Sequence, residues 1–179
     1  ESMNPCNNPY QAYETCESEE AGFRAHTAVR SIAVVLSIWL AGVGQVNAGG
    51  IAPAGAGDNR PAVERAANGM ARINIANPNG EGLSHNLYRR FNVGESGVIL
   101  NNSRELNQTR QAGYVAPNPR LKDGSAQTIL NEVVGNDASS LRGYMEVAGP
   151  AANVIVANPN GITCNGCGFI NTNRAALST

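Results

Sequence analysis

Charge is scarce in this chain. Only 15% of its 179 residues are Asp, Glu, Lys or Arg, and Lys122 is the single lysine. A helical bundle built on Glu, Lys, Leu and Ala is therefore excluded. The 13 basic and 14 acidic residues leave a formal net charge of −1, and only Tyr88-Arg89-Arg90-Phe91 interleaves basic with aromatic side chains. Nothing here has the electrostatic footprint of a nucleic-acid-binding protein. Long apolar runs are missing as well. The segment from Ile32 to Val43 has 12 residues and is broken by Ser37, short of the roughly 20 needed to cross a bilayer.

The flanks of that short run give it a meaning. Arg24 and Arg30 precede it and Val46-Asn47-Ala48 comes after it, so a positive region, an apolar stretch and an Ala-x-Ala-like site describe a secretory signal peptide. The expected division is a leader over residues 1–48, apolar region 32–43, cleaved between Ala48 and Gly49, and an exported domain over residues 49–179. Residues Glu1 to Phe23 carry Cys6, Cys16 and the acids Glu14, Glu17, Glu19 and Glu20 and are set aside as a long leader or an upstream extension, with Met3 as an alternative start.

Export places Cys164 and Cys167 in an oxidising compartment, which favours a local disulfide over two free thiols. A zinc site would need a second ligand pair, and the exported part offers only His85. A thioredoxin-like redox site would need a βαβ setting that the sequence lacks. No metal or cofactor is expected.

From Gly49 onward, short apolar runs alternate with Asn, Gly and Pro clusters, the pattern of many strands and turns. The expected strands are Arg72 to Ala76, Leu87 to Val93, Gly97 to Asn101, Arg142 to Val147 and Asn153 to Ala157. Between Ser125 and Val134, the spacing of Ile129, Leu130, Val133 and Val134 also fits a helical turn, which leaves both readings open.

The clearest internal signal is a repeat. Asn77-Pro78-Asn79-Gly80 returns as Asn158-Pro159-Asn160-Gly161, each after a strand-like run, and Asn118-Pro119-Arg120-Leu121 lies between them. The first Asn can bond its side chain to the backbone ahead, Pro fixes φ near −65°, and the second Asn and Gly tolerate the backbone angles that close a turn, so each motif reads as a tight corner. Pro cannot donate to a ladder, so strand pairing should end there. A recurring strand-and-corner unit favours a solenoid over a closed sandwich; at about 20 to 25 residues per coil, five or six coils are expected. The strand-like end at Arg174 to Thr179 reads as a solenoid truncated at its C-terminal end.

Those motifs, with Ser84-His85-Asn86-Leu87-Tyr88-Arg89-Arg90-Phe91-Asn92-Val93 and the run from Val156 to Thr172, resemble the N-terminal two-partner secretion domain of filamentous haemagglutinins and contact-dependent growth inhibition toxins. The resemblance implies an all-β chain, a right-handed parallel β-helix with an N-terminal cap. It also implies a partner, an outer-membrane β-barrel transporter with periplasmic capture domains, and a route through periplasm and outer membrane to the cell surface. Contact with a host or neighbouring cell would fall to a C-terminal body. In that family Asn-Pro-Asn-Gly and Asn-Pro-x-Leu motifs matter for secretion. By position they are Asn77, Pro78, Asn79 and Gly80; Asn158, Pro159, Asn160 and Gly161; and Asn118, Pro119 and Leu121, where Arg120 stands in place of the usual Asn.

Two other readings compete. A β-helix enzyme acting on polysaccharide would need paired carboxylates, yet the acids from Asp58 to Glu146 are scattered and nominate no pair, so no catalytic residue is expected. A ligand-binding module for glycan or a haem carrier would look to His85, which more often serves as a structural hydrogen-bonding residue. Tyr88, Phe91 and Phe169 are expected to pack inside.

Overall fold

The computed structural model describes residues 50–179. The leader 1–48, its apolar region 32–43 and the bond between Ala48 and Gly49 lie outside the described residues.

The described chain is all-β apart from one 3-10 turn at Gly57–Asn59. After β1 (Ile51–Pro53) and β2 (Ala62–Arg65) it runs through β3 (Ala71–Asn74), β4 (Leu83–Phe91) and β5 (Val98–Asn101). An excursion carries β6 (Asn107–Thr109) and β7 (Gly113–Val115). The chain then continues through β8 (Thr128–Val133), β9 (Ser139–Leu141), β10 (Tyr144–Ala148), β11 (Ala152–Ala157), β12 (Ile162–Cys164), β13 (Gly168–Ile170) and β14 (Thr172–Ser178).

Apart from the β6–β7 hairpin, these strands stack in three ladders. The first sheet has the order β1-β4-β8-β11-β14 and the second β13-β10-β5-β3-β2. A third pairs β9 with β12, and a bridge from Val93 to Leu141 extends it. Within each ladder successive strands are parallel, as in Asn86↔Asn131 and Asn131↔Val156 of the first sheet and Ile73↔Leu100 and Leu100↔Val147 of the second. The two exceptions lie at one end. There β1 runs antiparallel to β4 and β2 antiparallel to β3, covering edges that would otherwise invite strand addition.

Side chains facing inward line up rung on rung. Ile73, Leu100 and Val147 form one buried column, Ser84, Ile129 and Val154 another, and Tyr88 and Phe91 pack edge to face at 4.8 Å. Burying each such aliphatic side chain contributes about 1.5–3 kcal/mol. The alternation is plain in β8, where Ile129, Asn131 and Val133 are buried and Thr128, Leu130 and Glu132 half-buried.

That alternation settles the segment from Ser125 to Val134: it is a strand, because β4 and β11 flank it with parallel ladders that a helical turn could not join. Among the described residues the first sheet holds four parallel strands, and between β5 and β8 the chain leaves the ladders to form the β6–β7 hairpin before Leu121 and Ala126 return to the main core. The hairpin covers the outer face of the second sheet, where Ile99, Ala112, Val115, Ala148 and Ala66 make a second small core.

Candidate functional site

The corner between the second and first sheets is lined with asparagines. The Asn101 side chain donates to Asn74 Oδ1 at 2.8 Å and to the Ala116 carbonyl at 3.0 Å. Asn118 Nδ2 donates to the carbonyls of Ile75 (3.0 Å) and Asn101 (2.9 Å). Asn102 reaches the Ala126 and Pro150 carbonyls, and Asn171 those of Val147 and Gly149. The chain turns at this corner, so its carbonyls lose their ladder partners, and each buried orphan would cost about 1–3 kcal/mol. Asn supplies two donors and an acceptor on a short stem, which suits the task.

Two of the expected secretion motifs meet here. Asn77 Oδ1 accepts the Lys122 N–H (2.8 Å) and the Asp123 N–H (3.3 Å), and Asn77 Nδ2 donates to Asp123 Oδ2 at 2.7 Å. The loop after Asn118-Pro119-Arg120-Leu121 is thereby clasped to Asn77-Pro78-Asn79-Gly80. Leu121 is 6% exposed and joins the main core. Arg120 sends Nη2 toward the Gly57 and Asp58 carbonyls at 3.4 Å each. Beside the clasp lies a groove of about 830 Å³, lined among others by Asp58, Asn77, Pro78, His85, Arg120 and Asp123. His85 Nε2 there lies 2.6 Å from Glu132 Oε2.

The repeat in the sequence is not a repeat in space. Asn77 to Gly80 joins β3 to β4, between the second and first sheets, whereas Asn158 to Gly161 joins β11 to β12, between the first and third. The two tetrapeptides also use different atoms. In the later one Asn158 is wholly buried; its Oδ1 accepts the Asn160 N–H at 3.0 Å, and its Nδ2 donates to the Asp137 carbonyl and to Ser139 Oγ. In the earlier one the equivalent local turn belongs to Asn79, whose Oδ1 accepts the N–H groups of Glu81 and Leu83. The Asn118 motif shares the later pattern, with the Arg120 N–H bonded to Asn118 Oδ1 at 2.9 Å.

Cys164 and Cys167 form a disulfide at the corner from β12 to β13, with Cα atoms 5.3 Å apart. Tyr88 and Phe91 are fully buried, and Phe169 packs half-buried against the same core. Burial pushes the Tyr88 hydroxyl well above the usual phenol range. Among the described residues no group of three or more His, Cys, Asp or Glu side chains is placed to hold a metal ion, and no helix is long and apolar enough to cross a membrane.

One residue escaped the reading of the sequence. Glu146 is 3% exposed, and its carboxylate oxygens accept the backbone N–H groups of Arg110 (2.6 Å) and Gln111 (2.9 Å) at the tip of the β6–β7 hairpin. Its place in Tyr144-Met145-Glu146-Val147-Ala148 was the only signal: an acid between apolar neighbours in a strand that is buried along most of its length.

The chain is similar to known proteins. The family model described as "TPS secretion domain" matches residues 48–179. The chain is 58% identical over 119 residues to the 16S rRNA endonuclease CdiA of Enterobacter cloacae, covering 65% of this chain and 4% of that protein. It is 46% identical over 151 residues to the hemolysin of Serratia marcescens, covering 84% of this chain and 9% of the hemolysin. The crystal structure of a filamentous hemagglutinin secretion domain superposes with a TM-score of 0.67 at 38% identity, covering 73% of this chain and 42% of that one. The chain thus spans a small fraction of the curated relatives it matches.

Proposed function

Because the chain belongs to the TPS secretion domain family, we propose that residues 49–179 target a large secreted exoprotein to a dedicated outer-membrane transporter and fold only after crossing it. Residues 1–48 serve as the leader for the inner-membrane step. The described chain winds as a right-handed parallel β-helix capped by β1 and β2. Its parallel ladders and short corners support that reading, as does the right hand of about 98% of parallel crossovers within one sheet.

The observation that carries the order of events is the fate of the motif atoms. Asn118 and Asn158 are 2% and 0% exposed, and their amides are spent on carbonyls of distant corners. A transporter that reads these asparagines can do so only while the chain is unfolded. Capture by strand addition in the periplasmic domains fits such a chain, because main-chain hydrogen bonds supply affinity without a long sequence motif. Folding outside then buries the apolar columns and opposes return. We assign no reaction to this segment. The nuclease and hemolysin names belong to relatives of which it spans 4% and 9%.

The test is release of residues 1–179 from a Gram-negative cell with and without the cognate transporter, for the parent chain, Asn158→Ala, and Val154→Asp, which places a charge in the core. The expected result is transporter-dependent release that falls in both variants. Release without the transporter would overturn the targeting role. Normal transporter-dependent release of a Val154→Asp chain shown to be unfolded would overturn the folding-driven step alone.

A further inference from the structure

The described chain contains four Asn-Gly pairs, at Asn68-Gly69, Asn79-Gly80, Asn160-Gly161 and Asn165-Gly166. Such a pair can rearrange without an enzyme. The backbone nitrogen of the glycine attacks the asparagine Cγ, a C–N bond forms, and ammonia leaves with the transferred proton. The resulting five-membered succinimide is opened by water to aspartate or isoaspartate. The step needs a side chain free to rotate onto the next peptide and a glycine nitrogen free to leave its own hydrogen bond.

Exposure does not separate the four, since all four asparagines are exposed. Hydrogen bonding does. Asn68 is held at both ends, Nδ2 on the Gln111 carbonyl and Oδ1 by the Met70 N–H, and the Gly69 N–H is bonded to the Ala66 carbonyl. Asn79 Oδ1 accepts two backbone N–H groups. Asn160 Nδ2 donates to the Gly135 carbonyl at 2.7 Å, and the Gly161 N–H donates to the Asn158 carbonyl at 3.0 Å. At Asn165 the side chain has no partner among the described residues. Its backbone N–H is fixed to the Leu141 carbonyl at 2.9 Å, but the Gly166 nitrogen carries no such bond there. Cys164 and Cys167, on either side, pin the two ends of this short loop together.

We infer that Asn165 is a site of spontaneous succinimide formation in the folded protein, and that folding shields the other three pairs. The product sets a carboxylate between the two bridged cysteines, and isoaspartate also adds a methylene to the backbone of that loop. In the unfolded chain the four pairs are chemically alike, so the pattern of modification records how long a molecule has been folded.

The experiment incubates the purified full chain at neutral pH, in buffer with the disulfide intact and in urea with the disulfide reduced, then maps peptides by mass spectrometry with fragmentation that distinguishes isoaspartate. In buffer, conversion at Asn165 should exceed that at each of the other three by roughly tenfold or more, the ratio for a barrier difference of about 1.4 kcal/mol. In urea the four rates should converge, and in Asn165→Gln the fast conversion should vanish. Equal rates in buffer, or faster conversion at Asn68, Asn79 or Asn160, would overturn the inference. So would a tenfold preference that persists in urea, since it would then come from local sequence and not from the fold.

Discussion

Asn77 and Asp123 lie 46 residues apart and are joined twice, once by Asn77 Nδ2 to the Asp123 carboxylate at 2.7 Å and once by the Asp123 N–H to Asn77 Oδ1 at 3.3 Å. The exposed carboxylate contributes little by itself. The asparagine holds two backbone N–H groups in place, so Asn77→Ala should cost about 1–2 kcal/mol and Asp123→Ala a few tenths. Urea denaturation of both variants and their combination checks this; equal losses in the two single variants would show that the clasp rests on the carboxylate instead.

Asn158 and Asn160 stand two positions apart in one motif but do unequal work. Asn158→Ala strips partners from the Asp137 carbonyl, Ser139 Oγ and the Asn160 N–H in a buried corner. The expected loss is about 2–3 kcal/mol, against less than about 1 kcal/mol for Asn160→Ala. Thermal unfolding that ranks the two the other way would refute the assignment of the corner to Asn158.

Arg120→Asn puts into the motif the residue that the resemblance leads one to expect there. The guanidinium reaches the Gly57 and Asp58 carbonyls only at 3.4 Å, at the weak end of hydrogen bonding. Stability should therefore change by less than about 0.5 kcal/mol, with local hydrogen exchange rising around residues 55–60. A large loss of stability would mean that Arg120 anchors the cap.

Glu146 fastens the hairpin to the second sheet through two N–H groups. Glu146→Gln turns an NH2 group toward one of those donors, leaving it unpaired at a cost of about 1–3 kcal/mol. Because the β6–β7 hairpin pairs only with itself and lies outside the parallel ladders, the damage should be local: trypsin should cut faster at Arg104 and Arg110 while the ladders stay protected from exchange. Unchanged cleavage at both arginines would dismiss the fastening role.

Tyr88 gives an alkaline limit with a definite sign. Its hydroxyl is buried, donates to Asn131 Oδ1 at 3.1 Å, and is pushed above the ordinary value of 10.0 by desolvation. The folded state therefore keeps a proton that the unfolded chain loses above pH 10. This group's contribution is fully present below that pH and falls by about 1.4 kcal/mol per pH unit above it. Stability of Tyr88→Phe followed by chemical denaturation should be lower near neutrality by about 1 kcal/mol but flatter above pH 10. Parallel alkaline slopes in the two proteins would contradict the burial argument.

Several of these groups were legible in the sequence. The Asn-Pro corners, the end of β11 at Ala157 ahead of one of them, and the inward place of Tyr88 and Phe91 all come from local chemistry, because Pro lacks an N–H and large apolar rings leave water; β3 stops at Asn74, two residues short of the expected Ala76. Glu146 was not legible, since its partners are amides 35 and 36 residues away. Nor was the state of β8. Ile129, Leu130, Val133 and Val134 satisfy two periodicities at once, and only the flanking strands exclude one of them.

By itself the sequence determined the class of the chain: sparse charge, short apolar runs and Asn-Pro-Asn-Gly corners leave strands and turns as the way to bury a core, and ordered motifs mark the family. Packing at long range set the rest: the two copies of one tetrapeptide turn different corners, the β6–β7 hairpin lies outside the ladders, and Asn77 clasps the loop that follows the Asn118 motif. The reason is range. A turn is chosen by the few residues within it, whereas the partner of a buried amide is chosen by whichever carbonyl the stacking of distant strands leaves unpaired.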